Sequence, residues 1–384
     1  MRFADALSKG FGAIAEFKRR SPSAGDLRPD GDVVAVARAY EANGARAMSV
    51  LVDDRFAGSW DDVRAARAAT TLPLLAKGFF STPEHLRTAR EAGADAALLI
   101  LRDLDDATCA ALLREADALG LETLVEAHDP EELARATALD APVIGVNARD
   151  LSTFRIDRAA QLELVARAPR DRIVIAESAV ETRAQGALAE LTGANAILIG
   201  STLMRAPDPG AKLAELVARP LVKVCGLTQQ EDVDVAVDAG ADLVGFILAQ
   251  ESPRRSDAVL NAPATVLRVA VFVGEEHETG ADVSQYYARD PRTRMRSRDG
   301  VLRRNGAQVA SVVDLPWEQA DETHLERARA THGRVMLAGG LGPENVRHAI
   351  EVVRPWAVDS ARSTEREPGI KDHDAVRAWV AAAR

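Results

Sequence analysis

The sequence predicts an α/β protein: a (βα)8 barrel followed by a second, shortened and partly rebuilt (βα) barrel domain. Eight short apolar stretches lie before residue 220, and helix-like segments alternate with them. Such alternation forms βα units around a parallel sheet, and eight units close into a barrel. The pattern restarts after Arg219-Pro220, which predicts two domains, residues 1–219 and 220–384.

The strands of the first barrel are expected where short apolar runs alternate with helical patterns such as DDVRAARAA and PEELARATA. A doubly wound parallel sheet is the alternative. No Gly-rich dinucleotide-binding loop follows the first predicted strand, however, and eight units favour closure. The predicted strands lie near residues 12–18, 47–53, 73–77, 96–100, 121–126, 143–148, 173–178 and 196–200.

A Gly-Ala pair recurs before several apolar runs of both domains. Each pair follows a helix-like stretch, so each glycine is expected to end a helix with a positive φ and lead into a strand. The pairs begin at Gly44, Gly93, Gly193, Gly240 and Gly280.

The second domain departs from this rhythm in its centre, at about residues 275–316. Residues 275–300 are strongly charged and are expected to form a loop or a poorly ordered segment. Asn305-Gly306 lies between two extended runs and predicts a type I′ hairpin. With about 164 residues (384 − 220), the domain is short for a full barrel. The charged segment contains Arg289, Arg292, Arg294, Arg296 and Arg298.

Composition narrows the function classes. Hydrophobic residues make up 47% of the chain, enough for an ample core, and the net charge of −10 argues against nonspecific nucleic-acid binding. The two cysteines, Cys109 and Cys225, have no metal-type or disulfide spacing. No signal peptide or apolar run of about 18 residues is visible. We therefore expect a cytoplasmic protein without metal, cofactor, nucleic-acid or membrane partner.

Polar side chains follow the predicted strands of the first barrel. Glu16 and Lys18 share one face of the first strand, because side chains alternate along a strand. In a (βα)8 barrel the C-terminal strand ends converge on one face. A single polar residue at a strand end fits a structural role about as well as a functional one. Buried charges without a function at several strand ends would cost on the order of several kcal/mol each, so the whole set favours a functional site. The later strand ends carry Lys77, Glu126, Asn147, Arg149, Glu177, Ser178, Gly200 and Ser201.

This set of residues predicts acid–base chemistry. Two lysines and two or three carboxylates in a partly dry site shift one another's pKa values, so that acid and base forms coexist near neutral pH. Ser178, Gly200 and Ser201 follow strands seven and eight, where barrels of this type bind phosphate. The residues alone therefore predict a cofactor-free acid–base enzyme that acts on a phosphorylated small molecule, and they do not define the substrate.

The segment AEFKRRSPSAG, at residues 15–25, resembles the opening strand and loop of the indole-3-glycerol phosphate synthase family. The resemblance implies a (βα)8 barrel that closes and decarboxylates 1-(2-carboxyphenylamino)-1-deoxyribulose 5-phosphate. The products are indole-3-glycerol phosphate, CO2 and water, in tryptophan biosynthesis. The resemblance covers most of residues 11–210 and continues through SVLVDDRFAGS, LLAKGFF, LLI, LVEAHDP, IGVNARDLSTF, IAES and ILIGSTLMR.

The resemblance also implies roles for individual residues. Lys77 is implied as the general acid that activates the substrate carbonyl, and Glu126 as a general base or electrostatic partner in dehydration. Glu16 and Lys18 are implied to assist proton transfer and to hold the carboxylate. Asn147 and Ser178 are implied to orient the intermediate, Ser21, Arg149, Gly200 and Ser201 to contact substrate and phosphate, and Phe79 to form an apolar wall for the anthranilate ring.

Three features depart from the pattern of that family. Gly78 stands where the family usually has Asp, and Ala179 stands where it usually has Gly. If position 179 needs a positive φ, alanine costs about 1 kcal/mol there. Only about ten residues precede the first strand, so the usual N-terminal helical extension is nearly absent. We expect this to affect substrate affinity rather than chemistry.

The second domain resembles the phosphoribosylanthranilate isomerase family through KVCGLT, GADLVGFIL, ESPR, VAVFVG, LAGGLGPENV and WAVDS…PGIKD. The resemblance implies an Amadori rearrangement with Cys225 as general base and Asp314, ending the sixth strand, as general acid. Gly339 and Gly340 are implied phosphate contacts. Two segments depart from that family's pattern: LPWEQADETH follows Asp314 in place of a GGTG-type segment, and Ala-Arg-Ser at residues 361–363 replaces the usual Ser-Ser-Gly phosphate nest. Arg362 is an alternative source of charge for the phosphate.

Three hypotheses remain open from the sequence. The chain is a bifunctional synthase and isomerase, or a synthase whose second domain is a non-catalytic stabilising or ligand-binding module. In the third, the first barrel is another phosphate-handling lyase or isomerase of the same fold. The oligomeric state is not defined by the sequence.

Overall fold

A computed structural model describes residues 2–150, 153–290, 292, 296–314 and 322–384 of the chain. Contacts between backbone segments divide the chain into two compact units. The first comprises residues 1–181 and 189–217, and the second comprises residues 182–188 and 218–384. Among the described residues, none of the helices is both long and apolar enough to cross a bilayer.

The first unit contains the predicted closed barrel of eight parallel strands, and every strand pairs with its neighbours in chain order. The first strand closes the sheet by pairing with the eighth, Ala15 opposite Ile199. All predicted strand ends agree with the structure to within two residues. The strands are Gly12–Phe17, Ala47–Leu51, Leu74–Lys77, Ala96–Ile100, Glu122–Ala127, Val143–Asn147, Ile173–Glu177 and Ala196–Ile199.

Helices alternate with these strands, and several begin at a residue suited to cap them. Asp32, Ser59, Asp105, Asp129 and Asp157 each accept a backbone N–H of the following helix, which satisfies a donor that the first turn leaves free. The α-helices of this part of the chain are Phe3–Leu7, Val33–Ala42, Trp60–Ala69, Pro83–Glu91, Asp106–Ala118, Pro130–Ala138, Arg158–Arg167, Arg183–Thr192, Ser201–Arg205 and Pro209–Val217.

The interior of the first barrel is apolar at the N-terminal strand ends and polar at the C-terminal ends. The short helix Phe3–Leu7 packs Phe3 and Leu7 against residues such as Ala47, at the N-terminal ends of the strands. Its Ala4 N–H donates to Glu122 Oε2 at 3.2 Å. The helix therefore lies at the end of the barrel opposite to the polar residues.

The second unit is also a closed barrel of eight strands. The prediction of a shortened barrel with a partly rebuilt centre is therefore confirmed, and the barrel closes although the domain is short. Its strands are Leu221–Cys225, Leu243–Ile247, Leu267–Val273, Val283–Tyr287, Gly300–Arg304, Ala307–Asp314, Val335–Ala338 and Ala357–Ser360.

The reversed fifth strand explains how so short a domain closes. Strand Gly300–Arg304 runs antiparallel to both neighbours, whereas the other pairs are parallel. An antiparallel pair needs only a two-residue turn, whereas a parallel pair needs a crossover of about a dozen residues. The predicted hairpin is confirmed, because Asn305 and Gly306 adopt φ of 50° and 77° between the two strands.

Residues 275–300 are not simply the expected loop, because they contain the fourth strand, Val283–Tyr287. Gly280 has the expected positive φ of 70°, yet no helix precedes it among the described residues after strand Leu267–Val273. Arg294 lies outside the described residues. The described α-helices of this barrel are Gln230–Asp238, Glu322–Ala330, Val346–Val353 and His373–Ala383.

The hairpin gives a stability prediction. Asn305→Ala is expected to lower the free energy of unfolding by about 1 kcal/mol, because alanine tolerates positive φ poorly. Asn305→Gly is the matched control and is expected to stay within a few tenths of a kcal/mol of the wild type. Urea unfolding followed by circular dichroism measures both. Equal losses in the two variants would contradict a strained turn.

Candidate active site

Lys77 ends the third strand of the first barrel and lies among carboxylates from strands one, five and seven. Its Nζ is 2.5 Å from Glu177 Oε2, 3.6 Å from Glu126 Oε2 and 3.7 Å from Glu16 Oε2. The three carboxylate side chains are at most 4% exposed. Because water screens these charges poorly, each ionisation state depends strongly on the others.

The pKa values of this cluster move in different directions. Burial lowers the pKa of Lys77, but the charges of Glu177, Glu16 and Glu126 outweigh burial and raise it, so Lys77 stays an ammonium at neutral pH. Burial and the charge of Glu126 raise the pKa of Glu177 against the opposing charge of Lys77. For Glu126, burial favours the protonated form, but Lys77 and His128 outweigh it and lower the pKa. The site therefore holds one carboxyl group that retains its proton beside another that releases it.

Glu16 and Lys18 form the ion pair expected from their shared strand face. Lys18 Nζ donates to Glu16 Oε1 at 2.7 Å, and Ser49 Oγ donates to Glu16 Oε2 at 3.4 Å. Burial raises the pKa of Glu16, but Lys18 and Lys77 outweigh it and lower the pKa. Gly200 lies against the pair, since a Cβ there would be 2.3 Å from Glu16 Oε1. A side chain at position 200 would therefore displace Glu16.

A second set of predicted residues forms hydrogen bonds across the loops. Ser178 Oγ and the Arg149 N–H both donate to Asn147 Oδ1, at 2.9 and 3.0 Å. The Arg149 guanidinium donates to Ser23 Oγ at 3.0 Å, and Ser23 Oγ lies 3.1 Å from Ser21 Oγ. The structure thus brings these four predicted residues together through Ser23.

Phe79 and Ser201 take less central positions. The Arg55 guanidinium lies 3.7 Å from the centre of the Phe79 ring, so a cation already contacts one face of the expected apolar wall. Ser201 begins the five-residue helix that follows strand eight directly. The glycine at position 78 has a steric explanation, because a Cβ there would be 2.7 Å from the ring of Phe80 and 3.0 Å from Val52.

Two residues of this site have no role assigned by the sequence. Glu177 is visible at a strand end, but its position as the nearest carboxylate to Lys77 depends on how the eight strands are arranged around the barrel. His128 lies 3.2 Å from Glu126. The sequence feature that could have revealed this contact is the spacing of Glu126 and His128 in LVEAHDP, because residues two apart lie on one face if the strand continues.

In the second barrel, the predicted residues line one cavity of about 420 Å³. Cys225 ends the first strand and Asp314 ends the sixth. Gly339 and Gly340 follow the seventh strand, and Arg362 follows the eighth; all five line this cavity. The LPWEQADETH segment cannot be compared as a whole, because residues 315–321 lie outside the described residues.

A chain of polar side chains that the sequence did not reveal crosses the interior of this barrel. Lys223 is completely buried, and its Nζ lies 3.0 Å from Asp359 Oδ2 and 2.7 Å from Gln285 Oε1. Gln285 Nε2 donates to the Tyr287 hydroxyl at 2.8 Å, and that hydroxyl donates to Asp314 Oδ2 at 3.0 Å. Gln285 and Tyr287 belong to the fourth strand, so the rebuilt segment contributes to the cavity.

The titration of the two predicted proton-transfer groups depends on this chain. Burial raises the pKa of Cys225, and Lys223 opposes that shift. Burial also raises the pKa of Asp314, against Arg296, whose Nη2 lies 3.0 Å from Asp314 Oδ2. A raised pKa favours the protonated, acid form of Asp314. Among the described residues, no cluster of three or more His, Cys, Asp or Glu is arranged to hold a metal ion.

Fold and site together define the first unit as a (βα)8-barrel protein with a charged cluster of acid–base residues at the C-terminal strand ends. The chain belongs to the indole-3-glycerol phosphate synthase family, whose family model matches residues 1–216. A second family model, N-(5′-phosphoribosyl)anthranilate isomerase, matches residues 317–382. Cys225 and Asp314 lie outside that second match.

Similar proteins agree with the first match. An indole-3-glycerol phosphate synthase of Opitutus terrae is 44% identical over 228 residues, covering 56% of this chain and 85% of the relative. The enzyme of the same name from Mycobacterium ulcerans is 45% identical over 209 residues, covering 54% of this chain and 77% of the relative.

Solved structures of phosphoribosylanthranilate isomerases are also similar to part of the chain. One, in complex with reduced 1-(o-carboxyphenylamino)-1-deoxyribulose 5-phosphate, is 30% identical with a TM-score of 0.33 and covers 43% of this chain and 98% of that chain. That of Thermotoga maritima is 28% identical with a TM-score of 0.32 and covers the same shares.

The loop after strand seven gives a second stability prediction. Ser178 and Ala179 have φ of 73° and 55°. Position 179 therefore has the positive φ at which alanine is expected to lower the stability of the fold. Ala179→Gly is expected to raise the free energy of unfolding by up to about 1 kcal/mol in urea unfolding. Ala206→Gly, at φ −67°, is the control and is expected to lower it. Equal destabilisation by both would contradict strain at Ala179.

Proposed function

We propose that the first barrel catalyses the indole-3-glycerol phosphate synthase reaction, the decarboxylating ring closure of 1-(2-carboxyphenylamino)-1-deoxyribulose 5-phosphate in tryptophan biosynthesis. The observation that carries the proposal is the Lys77 ammonium enclosed by Glu16, Glu126 and Glu177, in a chain of that family. The reaction needs both a proton donor and a proton acceptor within one dry site, and this cluster supplies both.

In the proposed ring closure, Lys77 is the general acid. The ring carbon that bears the carboxylate attacks the ketone carbon, and Lys77 protonates the oxygen as negative charge develops on it. Loss of CO2 leaves its bonding electron pair on the ring, which restores aromaticity. The hydroxyl group then leaves as water, taking its second proton from solvent, while Glu126, kept ionised by its neighbours, accepts the proton lost from the adjacent carbon next to nitrogen.

The remaining residues are proposed to hold the substrate. Lys18, paired with Glu16 at the barrel mouth, is suited to attract the substrate carboxylate and to assist proton transfer. Asn147 and Ser178 are proposed to orient the intermediate. Ser21, Arg149, Gly200 and Ser201 are proposed to contact substrate and phosphate, with Phe79 against the anthranilate ring.

The synthase proposal predicts the effect of removing the acid. Lys77→Ala is expected to lower kcat for indole-3-glycerol phosphate formation by about 10²- to 10⁴-fold, because the developing oxyanion loses its proton donor. Lys212→Ala, which removes a surface lysine paired with Glu215, is the control and should keep full activity. Formation of product at the wild-type rate by Lys77→Ala would exclude Lys77 as the acid.

We further propose that the second barrel is a phosphoribosylanthranilate isomerase. Support comes from the single cavity that Cys225 and Asp314 share with Gly339 and Gly340, and from the family match at residues 317–382. In the proposed Amadori rearrangement, Asp314 protonates the ring oxygen of the ribosyl amine and opens the ring. The Cys225 thiolate then removes the proton from C2 of the sugar, and the resulting enol becomes the ketone.

Lys223 and Arg362 fit into this proposal. The Lys223 ammonium favours the thiolate form of Cys225, since a nearby cation stabilises an anion in a buried site. Arg362 lines the same cavity as Gly339 and Gly340, and it is proposed to offer its charge to the substrate phosphate. The departure from the usual Ser-Ser-Gly segment thus replaces amide donors by a cation.

The isomerase proposal is tested in the Lys77→Ala background, where the ketose product accumulates instead of being consumed. Cys225→Ala is expected to lower the conversion of phosphoribosylanthranilate by about 10²-fold or more. Cys109→Ala removes the other buried cysteine and is the matched control. Retained activity in Cys225→Ala would exclude Cys225 as the base. No conversion even with Cys225 intact would favour a non-catalytic stabilising or ligand-binding module.

A further inference from the structure

His128 lies between two buried carboxylates next to the proposed synthase site. Its Nε2 is 3.2 Å from Glu126 Oε1, and its Nδ1 is 2.9 Å from Glu132 Oε2. Glu132 Oε2 also accepts the backbone N–H of His128 at 2.8 Å. The imidazole therefore connects the carboxylate beside Lys77 with a second carboxylate outside the cluster.

Both ring nitrogens face carboxylate oxygens at contact distance. A neutral imidazole carries a proton on only one nitrogen, so the lone pair of the other would point towards an anion. An imidazolium presents a proton on both sides and is attracted by both partners. The contact of Nε2 with Glu126 is an ion pair without hydrogen-bond alignment, so charge rather than a directed hydrogen bond dominates it.

The helix start that follows His128 fixes the far end of this arrangement. Glu132 is the third residue of helix Pro130–Ala138, and its N–H donates to the capping carboxylate of Asp129 at 2.8 Å. The Glu132 side chain reaches back to the N–H of His128, a contact that resembles a capping box shifted by one residue. His128 is thus held by a rigid element rather than by a free loop.

The ionisation of the neighbouring carboxylates favours a charged His128. Glu177 is the carboxyl group that retains its proton, which leaves Glu16 and Glu126, whose pKa values are lowered, as anions. Lys18, Lys77 and His128 are the cations in contact with these anions. Burial lowers the pKa of His128, but Glu126 and Glu132 outweigh burial and raise it to about 10.

We propose that His128, held by Glu132 as an imidazolium, is a positioning residue that keeps Glu126 ionised and oriented as the base of the synthase site. This inference rests on the proposed synthase activity. The titratable groups that face Glu126 are Lys77, Glu16, Glu177 and His128, and those that face His128 are Glu126 and Glu132. The ion pairs of His128 are with the carboxylates of Glu126 and Glu132, and it is not assigned a contact with substrate.

Two isosteric variants separate the two contacts. The amide of His128→Asn lies near the position of Nδ1, so it keeps a donor for Glu132 and removes the cation beside Glu126. The amide of His128→Gln lies near the position of Nε2, so it keeps a neutral donor beside Glu126 without the charge. His332→Asn changes an exposed histidine of the other barrel and is the matched control.

The readout is the pH profile of kcat/KM for indole-3-glycerol phosphate formation. Removing the cation raises the pKa of Glu126, so His128→Asn is expected to move the acidic limb to higher pH by about one to three units. The activity of His128→Asn is therefore expected to fall at neutral pH and to recover at higher pH. His128→Gln is expected to show a similar shift of the acidic limb but a smaller loss of activity. A uniform fall at every pH, or an unchanged profile, would overturn the inference, because a merely structural role predicts no limb shift.

Histidine ring-nitrogen NMR of the full chain tests the charge without using activity. The His128 signal, identified by its disappearance in His128→Asn, is expected to remain that of an imidazolium at pH 8 and to titrate lower in Glu132→Gln. A neutral His128 at pH 8 would overturn the inference even in an active enzyme. If the wild type forms no indole-3-glycerol phosphate, the synthase proposal fails and the inferred role fails with it, whereas a charged His128 would still support the geometry.

Discussion

The contact between the Lys77 ammonium and three buried carboxylates is the interaction on which the rest of the first barrel depends. Without that cation, the anions Glu16 and Glu126 would lie near each other and beside the protonated Glu177 in an interior that screens charge poorly. Glycines on the neighbouring strands also leave space for these carboxylate side chains. A Cβ at Gly145 would lie 2.1 Å from Glu177 Oε1, so this strand position, like Gly200, leaves room for a carboxylate. Packing and charge therefore impose the same geometry on the strand ends.

The second barrel shows which part of the fold must be kept and which part can change. Reversing the fifth strand places its hairpin at the N-terminal end of the neighbouring sixth strand, away from the cavity. The C-terminal ends of the remaining strands still converge on one face, so Cys225 and Asp314 keep a common cavity. The fourth strand, which no helix flanks among the described residues, supplies Gln285 and Tyr287 to the polar chain that reaches Asp314. This part of the barrel thus contributes to the polar interior without described helices beside it.

The sequence predicts most of the fold because the alternation of apolar residues in strands and the glycines that end helices are local signals. The eight strands of the first barrel, the hairpin at Asn305 and the placement of Lys77 beside Glu126 all follow from such signals. The fourth strand of the second barrel was predicted only by the Gly-Ala pair at Gly280, because its polar residues lie in a charged segment that resembles a solvated loop. The contact of Lys77 with Glu177 and the pairing of Lys223 with Gln285 depend on register around a closed sheet, which no local pattern encodes.

The two proposed reactions make different demands on a buried lysine, and the two barrels differ accordingly. In the first barrel, Lys77 contacts three carboxylates at a strand end, where its proton can reach a ketone oxygen. In the second, Lys223 lies two residues before the strand end, completely buried, and contacts Asp359 and Gln285. There it is suited to tune the Cys225 thiol rather than to donate a proton to substrate. The product of the proposed isomerase carries the ketone on which the proposed synthase acts. The carbonyl group that Cys225 and Asp314 are proposed to form is therefore the one whose oxygen Lys77 is proposed to protonate.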